Sequence, residues 1–224
     1  MIPPLVVAES IDLGLGMIAI TDHNSTANIS SVIKAAEGTD LKIFPGMELQ
    51  TREEVHLLCL FDTMDQVKQL QVLVDSHYPD LKNNQDFFGE QFIVDETGDF
   101  IQREERLLIT SVDFSFEESV QEVHNLGGLA IPAHVNRKAY GLFANLGFIP
   151  EGLELDALEL SRHIQIADAL TLFPQVNDYP ILIGGDAHRL EEILGANEFE
   201  IQHRTISEIK LALSGVEGRS VRII

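Results

Sequence analysis

The chain has 224 residues and a formal net charge of −21, from 15 Lys and Arg against 36 Asp and Glu. Hydrophobic residues make up 45% and charged residues 23%, an ordinary globular composition that excludes wholesale disorder. No apolar run reaches the roughly 18–20 residues of a membrane-crossing helix, so no membrane partner is expected. Met1-Ile2-Pro3-Pro4 lacks the basic segment of a secretion signal, and the lone Cys59 excludes an intramolecular disulfide. Both point to a reducing cytoplasm. The acidic balance argues against a broad basic surface for nucleic acid, although bound divalent metals supply local positive charge where nucleotides are the ligand.

In chain order, Pro4–Asp12 reads as a helix stopped at Gly14. Met17–Thr21 reads as a buried strand ending at Asp22-His23-Asn24, and a helix follows over about Ala27–Ala36 with Ile29, Val32, Ile33 and Ala36 on one face. Leu41–Met47 is the next strand, ending at Glu48; Val55–Phe61 is another, and a helix covers about Asp65–Ser76. Residues 77–110 read as an insertion holding a hairpin that turns at Asp95–Asp99. Ser115-Phe116-Glu117-Glu118 matches a capping box for a helix that runs to Gly127-Gly128. Strands follow at Leu129–Pro132, Ala157–Leu160 and Ile181–Ile183, with a helix around Ile164–Phe173, and Thr205–Glu208 opens a last helix. Strands alternating with helices give an α/β class with mostly parallel strands, here one domain over 1–224.

The histidines and carboxylates fall at strand ends: His23 with Asp22, then Glu48, His134, and Asp186 with His188. In α/β folds those ends share one rim, where sites are built. His56 begins its strand instead. It joins the rim only if 43–48 and 55–61 run antiparallel, bent at Thr51–Glu54. Imidazole and carboxylate together suit Zn, Mn or Fe, and paired metals suit hydrolysis at phosphorus.

Five segments, Ala19-Ile20-Thr21-Asp22-His23-Asn24, Pro45-Gly46-Met47-Glu48, Val55-His56, Ile131-Pro132-Ala133-His134 and Gly185-Asp186-Ala187-His188, resemble in order the PHP (polymerase and histidinol phosphatase) family, in its small stand-alone metal-dependent phosphoesterase branch. The resemblance implies a distorted seven-stranded β/α barrel holding two or three metal ions, and one to three divalent ions are expected on this chain. It implies His23 and His188 on one metal, Glu48, His56 and His134 on another, and Asp186 with Glu48 bridging on a third. The family opens with a strand bearing Asp-Leu-His-x-His, which this chain lacks, so the first barrel strand is expected to be missing. A longer natural protein and a degenerate member are both open explanations. A missing strand would leave an unpaired edge beside 17–21 that permits a homo-oligomer.

Asp22 and His188 are the catalytic candidates. Asp22 orients His23, carries a proton, or caps the next helix. Arg137 and Arg162 are candidates for substrate phosphate, with solvated loop positions as the plain alternative. His124 reads as structural, and Cys59 as a core filler. The expected function is hydrolysis of a small phosphorylated metabolite or nucleotide through metal-activated water, with long nucleic acid the least favoured partner. The rival is a non-catalytic PHP-fold protein that keeps a partial metal site.

Overall fold

A computed structural model describes all 224 residues. Helix α1 (Pro3–Asp12) starts on two prolines, whose missing N–H costs nothing in a first turn, and Gly14 at φ +72° takes the left-handed conformation that ends it. Strand β1 (Met17–Ile20), helix α2 (Ile29–Ala35), strands β2 (Lys42–Gln50) and β3 (His56–Leu60) and helix α3 (Met64–Ser76) follow. The insertion contains α4 (Gln85–Phe88) and the hairpin β4 (Phe92–Val94) and β5 (Phe100–Arg103). Helix α5 (Phe116–Asn125) carries the expected capping box, with Ser115 and Glu118 satisfying each other's backbone N–H. Then come β6 (Leu129–Pro132), α6 (Leu142–Asn145), β7 (Leu158–Ser161), α7 (Ile166–Leu172), β8 (Ile181–Gly184), β9 (Asn197–Glu200), α8 (Ile206–Ser214) and β10 (Ser220–Ile223). The antiparallel pair β9–β10 was not anticipated; Asn197–Glu200 and Ser220–Ile223 are short, half-exposed segments without a long apolar run.

The α/β class holds, but the mostly parallel expectation is corrected. The largest sheet has the order β1-β2-β3-β6, in which only β1 and β2 are parallel. The tight connection at 51–54 forces β3 back along β2, and Thr51 N–H donates to Val55 C=O at 3.0 Å to close it. Strands β7 and β8 form a separate parallel pair. Two backbone hydrogen bonds link the β6 and β7 neighbourhoods, Asp156 N–H to Ala130 C=O at 3.2 Å and Val135 N–H to Glu159 C=O at 2.8 Å. No strand pairing joins β8 to β1, so the strands form several small sheets and pairing alone does not close a barrel. Burial follows this seam. Every residue of β6 is buried, whereas β1 and β8 are only partly covered. On β8 the Asn197 side-chain amide takes the place of a neighbouring strand, bonding both the N–H and the C=O of Ile183 at 2.9 Å.

The main core lies between the four-stranded sheet and helices α3 and α5. Leu49, Leu57, Cys59, Phe61, Leu70 and Phe116 are almost wholly excluded from water, and each large side chain contributes about 1.5–3 kcal/mol. Gly128 leaves room for Phe61: a Cβ there would lie 2.5 Å from its ring. Cys59 is a core residue, as expected, and burial pushes its thiol far up.

One buried polar residue ties this core to the rim. Asn24, at φ +48° and inaccessible to solvent, donates to the carbonyls of Leu108 (2.9 Å) and Thr110 (2.7 Å) and accepts from Gln50 N–H (2.9 Å). It pins the end of the insertion to the end of β2. Asn24→Ala would leave one buried and two part-buried backbone partners unsatisfied, and we expect a loss of about 1–3 kcal/mol, read as a lower urea midpoint.

Candidate metal centre

Sheet register builds the site. Gln50 pairs with His56 and Glu48 with Leu58 across the β2–β3 hairpin, so Glu48 and His56 are diagonal neighbours on one face. On the other side of β2, His23 forms a parallel bridge with Glu48, secured by Glu48 N–H to Asp22 C=O (3.2 Å) and Asn24 N–H to Glu48 C=O (3.0 Å). Three residues from separate segments thus converge on one face, and the antiparallel bend that His56 required is present. His134 arrives just past β6, where Ala133 N–H donates to His56 C=O at 2.9 Å.

Glu48 is the centre of this group. Its Oε1 accepts from His56 Nδ1 at 2.7 Å and from His134 Nε2 at 3.2 Å, and His23 Nδ1 lies 3.4 Å from Oε2. Burial raises the affinity of the Glu48 carboxyl for a proton, but the hydrogen bonds from His134 and His56 outweigh it and hold the group well below the usual carboxylate range. An ionised Glu48 fixes the tautomers. His56 and His134 donate through the nitrogens that face it; in a singly protonated ring the lone pair then sits on the far nitrogen, His56 Nε2 and His134 Nδ1. Those two atoms, with His23 Nδ1, are buried and have no hydrogen-bond partner. Burial also lowers the pKa of His23, partly offset by Glu48, which favours its neutral, ligating form.

A buried carboxylate facing three imidazole nitrogens at 2.7–3.4 Å is a donor set that fits a divalent cation. His23, Glu48 and His56 each bring one ligand atom within 4.8 Å of the others. This grouping differs from the expected sets: His23 stands with Glu48 and His56, and His134 reaches the group through Glu48. The Asp186–His188 arm is looser. The His188 ring centroid is 6.0 Å from that of His23, and its side chain is 63% exposed. Asp186, at φ +46°, is engaged by Arg137.

The remaining candidates are distributed around this group. Asp22 turns its backbone carbonyl to Glu48, and burial raises its side-chain pKa against a hydrogen bond from Asn28. Arg137 is half-exposed and ion-paired with Asp186. Arg162 is held by Glu192, with Nη1 donating to its carbonyl at 3.2 Å. His124 pairs with Asp156 at 2.9 Å at the far ends of the strands, consistent with a structural role.

Two residues escaped the sequence reading. Tyr140, at φ +59°, stacks on His56 with ring centroids 4.5 Å apart and planes within 6°, and its carbonyl accepts His56 N–H at 3.1 Å. Glu159, inside β7, accepts His134 N–H on Oε1 at 3.1 Å. Neither belongs to a recognisable motif; a lone Tyr in a loop and a Glu between leucines carry no spacing signal.

Burial pushes the Glu159 carboxyl up from 4.5 to about 7, against the hydrogen bond from His134 and with Glu48 and Asp186 adding to the rise. A carboxyl raised in the folded state adds stability below its unfolded pKa and loses that contribution as pH climbs through the folded value. In metal-free protein, the urea midpoint should therefore decline as pH rises from 4.5 through about 7. Glu159→Gln should flatten that decline.

Comparison with known proteins matches the PHP domain model to residues 3–135. The uncharacterized protein YqxK of Bacillus subtilis is 33% identical over 107 residues, 45% of this chain and 27% of that protein. The lesion-specific endonuclease EndoQ of Pyrococcus furiosus superposes with a TM-score of 0.69 at 21% identity, over 99% of this chain and 53% of the endonuclease. An Endonuclease Q complex with a 27-mer duplex bearing an abasic lesion at its active site gives 0.70 at 20% identity, over 98% of this chain and 53% of that one. A protein assigned as a metal-dependent phosphoesterase from Bifidobacterium adolescentis gives 0.55 at 18% identity, over 84% and 82% of the two chains. The chain thus spans about a quarter of YqxK and about half of the endonuclease.

The endonuclease complex corrects the expectation that long nucleic acid is the least favoured partner, because a chain of the same fold holds duplex DNA at its active site. Net charge is a weak guide to such a partner: −21 sums the whole surface, whereas a nucleic-acid site needs positive charge only where the phosphate lies. With a family model covering more than half of its length and the family's ligand-type residues gathered around Glu48, the chain belongs to the PHP domain family.

Proposed function

We propose that this chain is the metal-dependent phosphoesterase part of an enzyme that cleaves phosphodiester bonds in DNA. The observation that carries the reading is the set of three imidazole nitrogens, from His23, His56 and His134, within 2.7–3.4 Å of the buried, ionised Glu48 carboxylate. A bound divalent cation, Zn, Mn or Fe on this donor set, supplies Lewis acidity and a water of lowered pKa. His23, Glu48, His56 and His134 would hold it. Arg137 neutralises a phosphoryl oxygen by exchanging its partner Asp186 for the substrate, with a fork that suits phosphate. Asp22 accepts Glu48 N–H on its backbone carbonyl at 3.2 Å and so holds His23 beside the carboxylate. The DNA assignment draws on the EndoQ likeness, since that enzyme acts on lesion-bearing duplex. The single free Cys59 supports a cytoplasmic setting, and no helix is long and apolar enough to cross a membrane.

A second reading, a PHP-fold protein with a partial metal site and no turnover, is favoured by one observation, the exposed His188 beside an Asp186 already engaged by Arg137. Incubation with Mn²⁺ and three substrates separates the two: an abasic-site duplex, an intact duplex and p-nitrophenyl phosphate. The proposal expects metal-dependent nicking of a duplex, lowered at least about 100-fold in His134→Ala. Mn²⁺ uptake with no cleavage of any substrate would instead support the partial-site reading.

A further inference from the structure

We infer that Glu159 is a positioning residue that sets the depth of His134 in the metal centre; the inference rests on the metal reading above. His134 has a φ of +31°, a backbone conformation that L side chains adopt at a cost. Something must hold it there, and β7 supplies the hold twice from one residue. The Glu159 carboxyl accepts His134 N–H on Oε1 at 3.1 Å, and the Glu159 backbone carbonyl accepts the next amide, Val135 N–H, at 2.8 Å. Two consecutive amides of the rim segment are thus bound by a single position on a neighbouring strand. The turn is completed by Arg137 N–H donating to His134 C=O at 2.8 Å.

The carboxyl has a fixed seat. Gly184 closes β8, and a Cβ at that position would lie 2.1 Å from the Glu159 carboxyl carbon. Only glycine there lets the carboxyl lie flat against the end of β8, two residues before Asp186. Glu159 is therefore wedged between the strand end that presents His134 and the one that presents Asp186 and His188. Its action on the metal passes through the backbone of His134, whose Nε2 is 3.2 Å from Glu48. Partners of this kind typically change metal affinity by about 10–100-fold when removed.

The test is calorimetric titration of the metal-free chain with Mn²⁺ alone, with circular dichroism to confirm folding. Glu159→Leu should weaken Mn²⁺ binding by about 10–100-fold. Glu159→Gln keeps an acceptor oxygen for His134 N–H and should recover most of that loss. The double variant Glu159→Leu/His134→Ala should bind no more weakly than His134→Ala, because Glu159 acts only through His134. A general structural defect would instead add to the loss from His134→Ala. If Glu159→Leu does not fold, Gly184→Ala displaces the same carboxyl and should give the same loss. Unchanged affinity in the folded variant, or additive losses in the double variant, would overturn the inference. A parent chain that takes up no Mn²⁺ removes the metal reading and this inference together, whereas parent binding with an unaffected Glu159→Leu removes this inference alone.

Discussion

Two hydrogen bonds converging on one carboxylate oxygen govern the site. Glu48 Oε1 takes hydrogen bonds from His56 and His134 in a setting only 7% exposed. A buried carboxylate without such partners would protonate or distort the fold. With them it stays ionised and dictates which nitrogen of each ring carries the proton. Tautomer, ring orientation and the direction of the free lone pairs follow from that single group. The strands are arranged to deliver it: β2 is buried along almost its whole length, with Glu48 in its interior and histidine-bearing segments hydrogen-bonded on both sides. Loss of Glu48 would leave three imidazoles facing one another with no anion to orient them.

Much of this was legible before any coordinates. Local signals are physical at short range, so the capped helix at Ser115, the strand at Leu129–Pro132 and the hairpin turning at Asp95–Asp99 were all readable. His56 depends on a longer reach: a ligand at the start of a strand requires an antiparallel return, and Gln50 pairs with His56. What stayed hidden depends on non-local partners. Glu159 acquires its meaning from an amide 25 residues earlier in the chain. Tyr140 matters because its loop folds over His56. The pairing of β9 with β10 spans short, weakly patterned segments. Net charge is a weak guide to the substrate for a related reason, since a sum over residues discards where each one lies.

The mixed sheet explains how a small chain concentrates so many ligand types. In a purely parallel arrangement each strand offers the rim only its C-terminal end. The antiparallel return of β3 adds a strand beginning at the same rim, so His56 comes within reach of Glu48 after a connection of only a few residues. The cost is an irregular set of small sheets, with β1 and β8 less covered than β2 and β6. Asn197 reduces that cost by satisfying the backbone of Ile183.

Three residues at these strand ends, Asn24, His134 and Asp186, share positive φ values of 48°, 31° and 46°. Such conformations suit glycine far better than a side chain with a Cβ. Two of the three nevertheless carry groups that the site uses, and the third anchors the segment beside it. A selection that rewards only thermal tolerance will therefore be drawn to glycine at positions 134 and 186, relieving the backbone while erasing an imidazole and a carboxylate. Robustness and chemistry compete at the same few dihedral angles in this protein, and a library built for durability has to hold those positions fixed.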